Sequence, residues 1–242
     1  MKTLVLKLRG PMQSYGTHSH FNTRETDSHP SKSAVLGLIA GALGWRRESE
    51  EIRVLNDLQF AVRVDQEGLT RKDYQIAREY QKKFRYHVKG KFKDKGTYVT
   101  NRYYLEDAIF VVALGHEDAS LIDRIQEALR KPYFQGFLGR RSYPVNYDLI
   151  MHSSERDPLE ELKTLDWQAS DWYRYKHGVP KYLEVFADRA LDKTAPWQKR
   201  QDAVVSFSQE HRQFAYRLEV RLLVPPVLRS SEHDAFGEVG ES

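Results

Sequence analysis

Three observations predict an α+β fold of ferredoxin-like order, with an inserted basic hairpin and a smaller β-rich part after it. Apolar alternation and helical periodicity follow one another as strand, helix, strand, strand, helix, the opening of a β-α-β-β-α-β unit. The segment between the second and third strands, from about Gly68 to Tyr104, is too long for a turn and concentrates positive charge. Beyond about Asp157 the texture changes, and aromatic residues are scattered among charges before two strand-like runs.

Taken in order, Thr3 to Leu8 alternates with Leu4, Leu6 and Leu8 on one face, as a half-buried strand does. Gly10-Pro11 ends it, because Pro donates nothing to a ladder and Gly permits a sharp exit. A polar loop from Met12 to about Pro30 follows, and Ser31 or Ser33 can cap the next helix. In that helix Gly37, Gly41 and Gly44 share one face. Each costs about 1 kcal/mol against Ala, so close approach of the helix backbone to a sheet is the expected compensation. Leu58 to Val64 is the second strand and the near-continuous apolar run Ala108 to Leu114 a central one. Leu121, Ile122, Ile125 and Leu129 mark an amphipathic helix capped near Asp118 or Ser120 and stopped before Pro132. A last strand of the unit is expected near Tyr147 to His152. The expected divisions are residues 1–155 with a hairpin insertion at about 70–104, a β-rich part at 156–228, and an acidic, disordered tail at 229–242.

Composition excludes several functions. There is no Cys, so disulfides, thiolate nucleophiles and Cys-ligated zinc are out. Lys7 and Arg9 interrupt the first apolar run, unlike a signal peptide, and Ala34 to Trp45 is too short to span a bilayer. The expectation is a cytoplasmic protein. The net charge of +4 is uneven: Gln81 to Lys95 carries seven Lys/Arg against the single Asp94. Nine His bring no HExxH motif and no ligand cluster, so no metal and no cofactor are expected. Serine-hydrolase and Walker motifs are missing.

Two segments offer binding chemistry. Lys82, Lys83, Arg85, Lys89 and Lys91 are interleaved with Phe84, Tyr86 and Phe92, which suits phosphate neutralisation with base stacking. A solvated charged hairpin fits the same residues. Gly139-Arg140-Arg141 presents two guanidiniums on a glycine turn, or a surface ion-pair network. Lys32 opposes the helix dipole at the start of its helix, and makes more sense beside a bound anion. His18, His20, His29 and His87 lie in segments expected to be exposed, which leaves open a His-centred, metal-independent endoribonuclease.

Several separated motifs then occur in a specific order: Leu8-Arg9-Gly10-Pro11-Met12-Gln13-Ser14-Tyr15-Gly16, Thr23-Arg24-Glu25-Thr26, Pro30-Ser31-Lys32-Ser33 to Gly37, and Leu138-Gly139-Arg140-Arg141-Ser142-Tyr143-Pro144. Up to about Pro144 the chain resembles the CasD family, the handle-binding subunits of subtype I-E CRISPR Cascade complexes. It departs in having Tyr15 for the usual Trp, Ser31 for Thr, and Tyr143 for Cys. The resemblance implies an RNA-recognition-like fold, gripping the 5′ handle of CRISPR RNA without cutting it. In that case Gly10, Pro11, Gln13, Ser14, Tyr15 and Gly16 form the handle loop, with Tyr15 stacking on bases and Gln13 and Ser14 reading their edges. Arg24, Lys32, Ser33, Arg140 and Arg141 add contacts, and the arm at about Tyr74 to Tyr103 lies as a thumb across the spacer. Implied partners are a CasC-type backbone subunit, a CasA-type large subunit and, in the assembled complex, target DNA.

Overall fold

The computed structural model describes residues 1–16, 23–77, 98–208 and 210–228, and the strand backbone at 86–88 and 91–93. Its centre is a seven-stranded antiparallel sheet. Strand β1 (Lys2–Arg9) leads through two short strands, β2 (Met12–Gln13) and β3 (Thr23–Arg24), to helix α1 (Lys32–Ala42). A 3-10 helix (Glu50–Asp57) precedes β4 (Gln59–Gln66). The insertion follows as β5 (Leu69–Ala77), β6 (Tyr86–Val88), β7 (Lys91–Lys93) and β8 (Tyr98–Glu106). Then come β9 (Ile109–His116), α2 (Ala119–Arg130), β10 (Ile150–Ser154), α3 (Pro158–Thr164), α4 (Asp171–His177), β11 (Leu183–Asp188), β12 (Trp197–Ser206) and β13 (Gln213–Val224).

The sheet order is β10-β1-β9-β4-β11-β13-β12. Its first four strands are the ferredoxin-like unit that the element order predicts. Period-two alternation sorts β1 between two cores: Leu4, Leu6 and Leu8 pack with α1 and α2, and Val5 packs with Leu159, Leu162 and Trp167. Ser31 caps α1 by accepting from the Ala34 N–H (3.3 Å), and Asp118 caps α2 through the Ser120 N–H (2.9 Å). The strand expected near Tyr147 begins at Ile150, and Tyr147 itself is exposed.

Two expectations change. The β-rich part does not stand apart, because β11 pairs with β4 (Phe186 opposite Val62) and extends the same sheet. That part also contributes α3 and α4. Its attachment is locked by a fully buried ion pair on β4. Arg63 donates to Asp65 (2.7 and 2.8 Å) and to the carbonyls of Leu165 (2.7 Å) and Asp166 (2.8 Å), while Trp167 Nε1 donates to Asp65 O (2.6 Å). Charge, donors and connector satisfy one another, as a buried pair requires.

The second change concerns the α1 glycines. A Cβ added at Gly37 would meet the Phe207 ring at 3.6 Å, and one added at Gly41 would meet no described residue within 4 Å. Close helix-to-sheet approach therefore does not explain them.

The insertion is a hairpin: β5 pairs with β8 from Leu69–Glu106 to Ala77–Tyr98, and β6 pairs with β7. The remaining residues between 78 and 97, and the expected tail at 229–242, lie outside the described residues. Among the described residues no helix is long and apolar enough to cross a membrane.

Candidate nucleic-acid interface

The glycine loop is built as a wall rather than as an exposed reader. Gln13 is 0% exposed; its Nε2 donates to Ala108 O (2.7 Å) and its Oε1 accepts from the Tyr15 hydroxyl (2.6 Å). Tyr15 is 3% exposed and meets Phe110 edge-on at 6.0 Å. Burial pushes its phenol above the ordinary value, so it stays neutral. Ser14 Oγ donates to Tyr103 O (3.2 Å). Gln13 is thereby corrected from a base contact to an internal support, whereas Ser14 and Tyr15, though held by internal contacts, line the cleft described below. An amide and a phenol that satisfy each other can sit in an apolar core. Pro11 and Gly16 are exposed, and Gly10 is half-buried against Leu138.

The Gly139 turn clamps this loop from outside. Gly139 has φ +85°, and a Cβ there would lie 1.7 Å from Ser14 O. The Ser14 N–H donates to Leu138 O (3.2 Å). Arg140 is pinned, with Nη2 on Tyr103 O (2.8 Å) and Nη1 on the Tyr143 hydroxyl (3.1 Å). Arg141 is exposed and has no partner among the described residues.

Lys32 also needs correction. It is 6% exposed, and its Nζ donates to Asn56 O (2.9 Å) and Asp188 (3.0 Å). It belongs to a buried network in which Arg217 bonds Asp202 (2.7 Å), Glu219 (2.6 Å) and Asp188 (3.0 Å), and Arg200 bonds Asp27 (3.0 Å) and Glu219 (3.2 Å). The anion that justifies a cation at the start of α1 is Asp188, and Asp202 accepts from the Lys32 N–H (2.8 Å). A helix start is satisfied equally by a carboxylate arriving from a distant strand.

His29 lies inside this network, its ring stacked on Phe186 at 3.7 Å and its Nε2 against Arg200. Burial, then the charges of Arg200 and Arg217, lower its pKa to about 2. An unfolded His titrates near 6.5, so between those values only the unfolded chain takes up the proton. Stability from this residue is complete above the unfolded value and declines as pH falls, by about 1 kcal/mol per pH unit. Urea midpoints between about pH 6.5 and 5, above the range where ordinary carboxylates titrate, should show this slope in the wild type and lose it in His29→Gln. A flat wild-type profile would refute the buried neutral ring.

The open feature is a cleft of about 850 Å³ over the exposed face of α1. Its rim carries six arginines, Arg24, Arg46, Arg47, Arg140, Arg141 and Arg212, against Glu25 and Glu48. Its lining includes Ser33, Gly37, Gly41, Trp45, Phe134, Phe137, Phe207 and Phe214. Burial, and then the guanidiniums of Arg47 and Arg24, pull the Arg212 pKa down, so these cations are crowded rather than paired. The sequence reading found Ser14, Tyr15, Gly16, Arg24, Ser33, Arg140 and Arg141, all of which line the cleft, but missed Arg46, Arg47, Arg212 and the aromatics at positions 45, 134, 137, 207 and 214. Trp45-Arg46-Arg47, directly after a glycine-ended helix, was the one local signal. Of the basic run, Lys82, Lys83, Arg85 and Lys89 lie outside the described residues, and Lys91 is placed only as backbone in β7. His18 and His20 also lie outside them.

The family described as CRISPR-associated protein (Cas_Cas5) matches residues 3–218. A curated relative, the CRISPR system Cascade subunit CasD of Escherichia coli (strain K12), is 33% identical over 193 residues, covering 76% of this chain and 86% of its own length. A chain of a solved CRISPR RNA-guided surveillance complex superposes with TM-score 0.77 at 28% identity, covering 98% of this chain and 97% of that one. A solved Cas protein gives 0.64 at 29% identity, covering 92% and 95%. With a family match that runs from residue 3 to residue 218, the chain belongs to the CRISPR-associated protein (Cas_Cas5) family.

Proposed function

We propose that this chain is a noncatalytic, RNA-binding subunit of a CRISPR surveillance complex of the Cascade kind. It grips the 5′ handle of CRISPR RNA and caps the backbone for antiviral targeting of DNA. The observation that carries this reading is the cleft. Unpaired guanidiniums crowd its rim, and aromatic rings line it, the combination that holds phosphates and bases of a single strand. The similarity to CasD and to a chain of a surveillance complex supports the same reading. The β5–β8 hairpin acts as the thumb over the start of the spacer, and the basic run 82–95 belongs to the same insertion in sequence. A CasC-type backbone subunit and a CasA-type large subunit are its protein neighbours, in the cytoplasm.

The expected result is that Arg46→Ala/Arg47→Ala/Arg212→Ala weakens binding of repeat-derived handle RNA by about tenfold or more. Each lost phosphate contact also flattens the slope of log K against log salt by about 0.7. Folding stability should stay level, because these cations repel one another. Unchanged affinity and slope would reject the cleft as the RNA site, and equal affinity for scrambled RNA would reject handle recognition. His29 offers no general base, since it is buried and a pKa of about 2 leaves its ring too weakly basic to take a proton from a nucleophile. Specific cleavage of repeat RNA in chelator would nevertheless overturn the noncatalytic reading.

A further inference from the structure

We propose that the open face of α1 is a slot for one unpaired RNA base, with Gly41 setting its size. This deepens the RNA-binding reading above and rests on it.

The argument starts from a contrast among glycines. At Gly139 a Cβ would strike Ser14 O at 1.7 Å, and at Gly44, with φ +78°, it would lie 2.9 Å from the Tyr133 ring. Those positions demand glycine for internal reasons. Gly41 does not: it has helical backbone, and a Cβ there would meet no described residue within 4 Å. Ala at this position would strengthen the helix without touching any other described residue. Ala40 and Ala42 on either side are buried in the core, so the helix itself is well anchored.

The surroundings suit a base. The loop after α2 is hydrogen-bonded to the end of α1, with the Phe134 N–H on Gly41 O (3.2 Å) and the Tyr133 N–H on Ala42 O (2.9 Å). That fixes Phe134, 45% exposed, beside the open position. The Phe207 ring bounds the cleft one helical turn away, 3.6 Å from where a Gly37 Cβ would lie. The α1 floor, with its glycine and apolar residues, favours a flat apolar ring rather than a phosphate, whose place is at the arginine rim.

The test compares two labelled probes with the full chain by fluorescence anisotropy: an RNA octamer of the repeat-derived handle sequence, and a ribose-phosphate octamer lacking bases. Wild type should prefer the base-bearing octamer by about tenfold or more. Gly41→Leu should lose that preference and keep the salt slope, and Gly41→Ala should fall between. Both variants should melt at or above the wild-type temperature. Wild-type preference retained in Gly41→Leu overturns the slot and leaves the RNA-binding reading standing. A lower melting temperature in Gly41→Leu also overturns it, because the position would then be filled from within the protein. Binding of neither probe by wild type overturns the RNA-binding reading and the slot together.

Discussion

Gly139→Ala is expected to lower folding stability by about 3 kcal/mol or more. Left-handed backbone at φ +85° costs a non-glycine residue about 1–2 kcal/mol by itself. The larger part is steric. The added methyl carbon would lie 1.7 Å from a backbone oxygen of Ser14, which no rotamer change can relieve. The turn must move away, releasing Arg140 from Tyr103 O and carrying Arg141 off the cleft. Urea denaturation should therefore show a clear fall in midpoint, and handle-RNA affinity should drop with it. Gly178→Ala is the control: φ is +69° and ψ −169° there, but the added carbon meets no described residue within 4 Å. It should cost only the conformational share, about 1–3 kcal/mol for backbone that essentially only glycine adopts, without the steric part. Equal effects of the two substitutions would mean that the Gly139–Ser14 contact is not a constraint.

Arg217→Ala should be comparably severe, at about 3–5 kcal/mol. Burial works against the Arg217 charge, yet Asp202, Asp188 and Glu219 hold its pKa above the ordinary arginine value. Removing the guanidinium leaves three carboxylates sharing Arg200 and Lys32, in a region where Asp202 and Glu219 have 0% exposure. Lys32→Ala separates two accounts of that residue. As a phosphate contact it would weaken RNA binding and flatten the salt slope by about 0.7 without unfolding the chain. As a member of the ion network it should lower stability and leave the slope of the folded protein unchanged. The structure predicts the second outcome, because Nζ is already held by Asn56 O and Asp188.

Local patterns were a good guide to elements and a poor one to exposure. Alternation located β1 and β4, and a near-continuous apolar run β9, to within a residue or two at most ends, and the Asp118 cap placed the start of α2. Strand β11 was missed because its six residues, Leu183–Asp188, are short and bring no turn signal strong enough to frame them. Tyr15 looked like an exposed aromatic in a polar loop. It became a core residue because the Gly139 turn folds over that loop from more than a hundred residues away. Arg46, Arg47 and Arg212 form a cluster only after β13 reaches the far side of α1, so no window of sequence contains it.

The division of information follows from the range of the forces involved. Strand and helix periods, caps, the hairpin insertion and the motif order are properties of neighbouring residues, and the chain declares them without folding. Which cations are free is a question of long-range pairing. Lys32 and Arg200 are neutralised by carboxylates from distant strands, whereas Arg24, Arg47 and Arg212 are left facing one another. The α1 glycines show the same limit. Their shared face was legible, but whether it met a sheet or an open cleft was decided only when the rest of the chain packed around it.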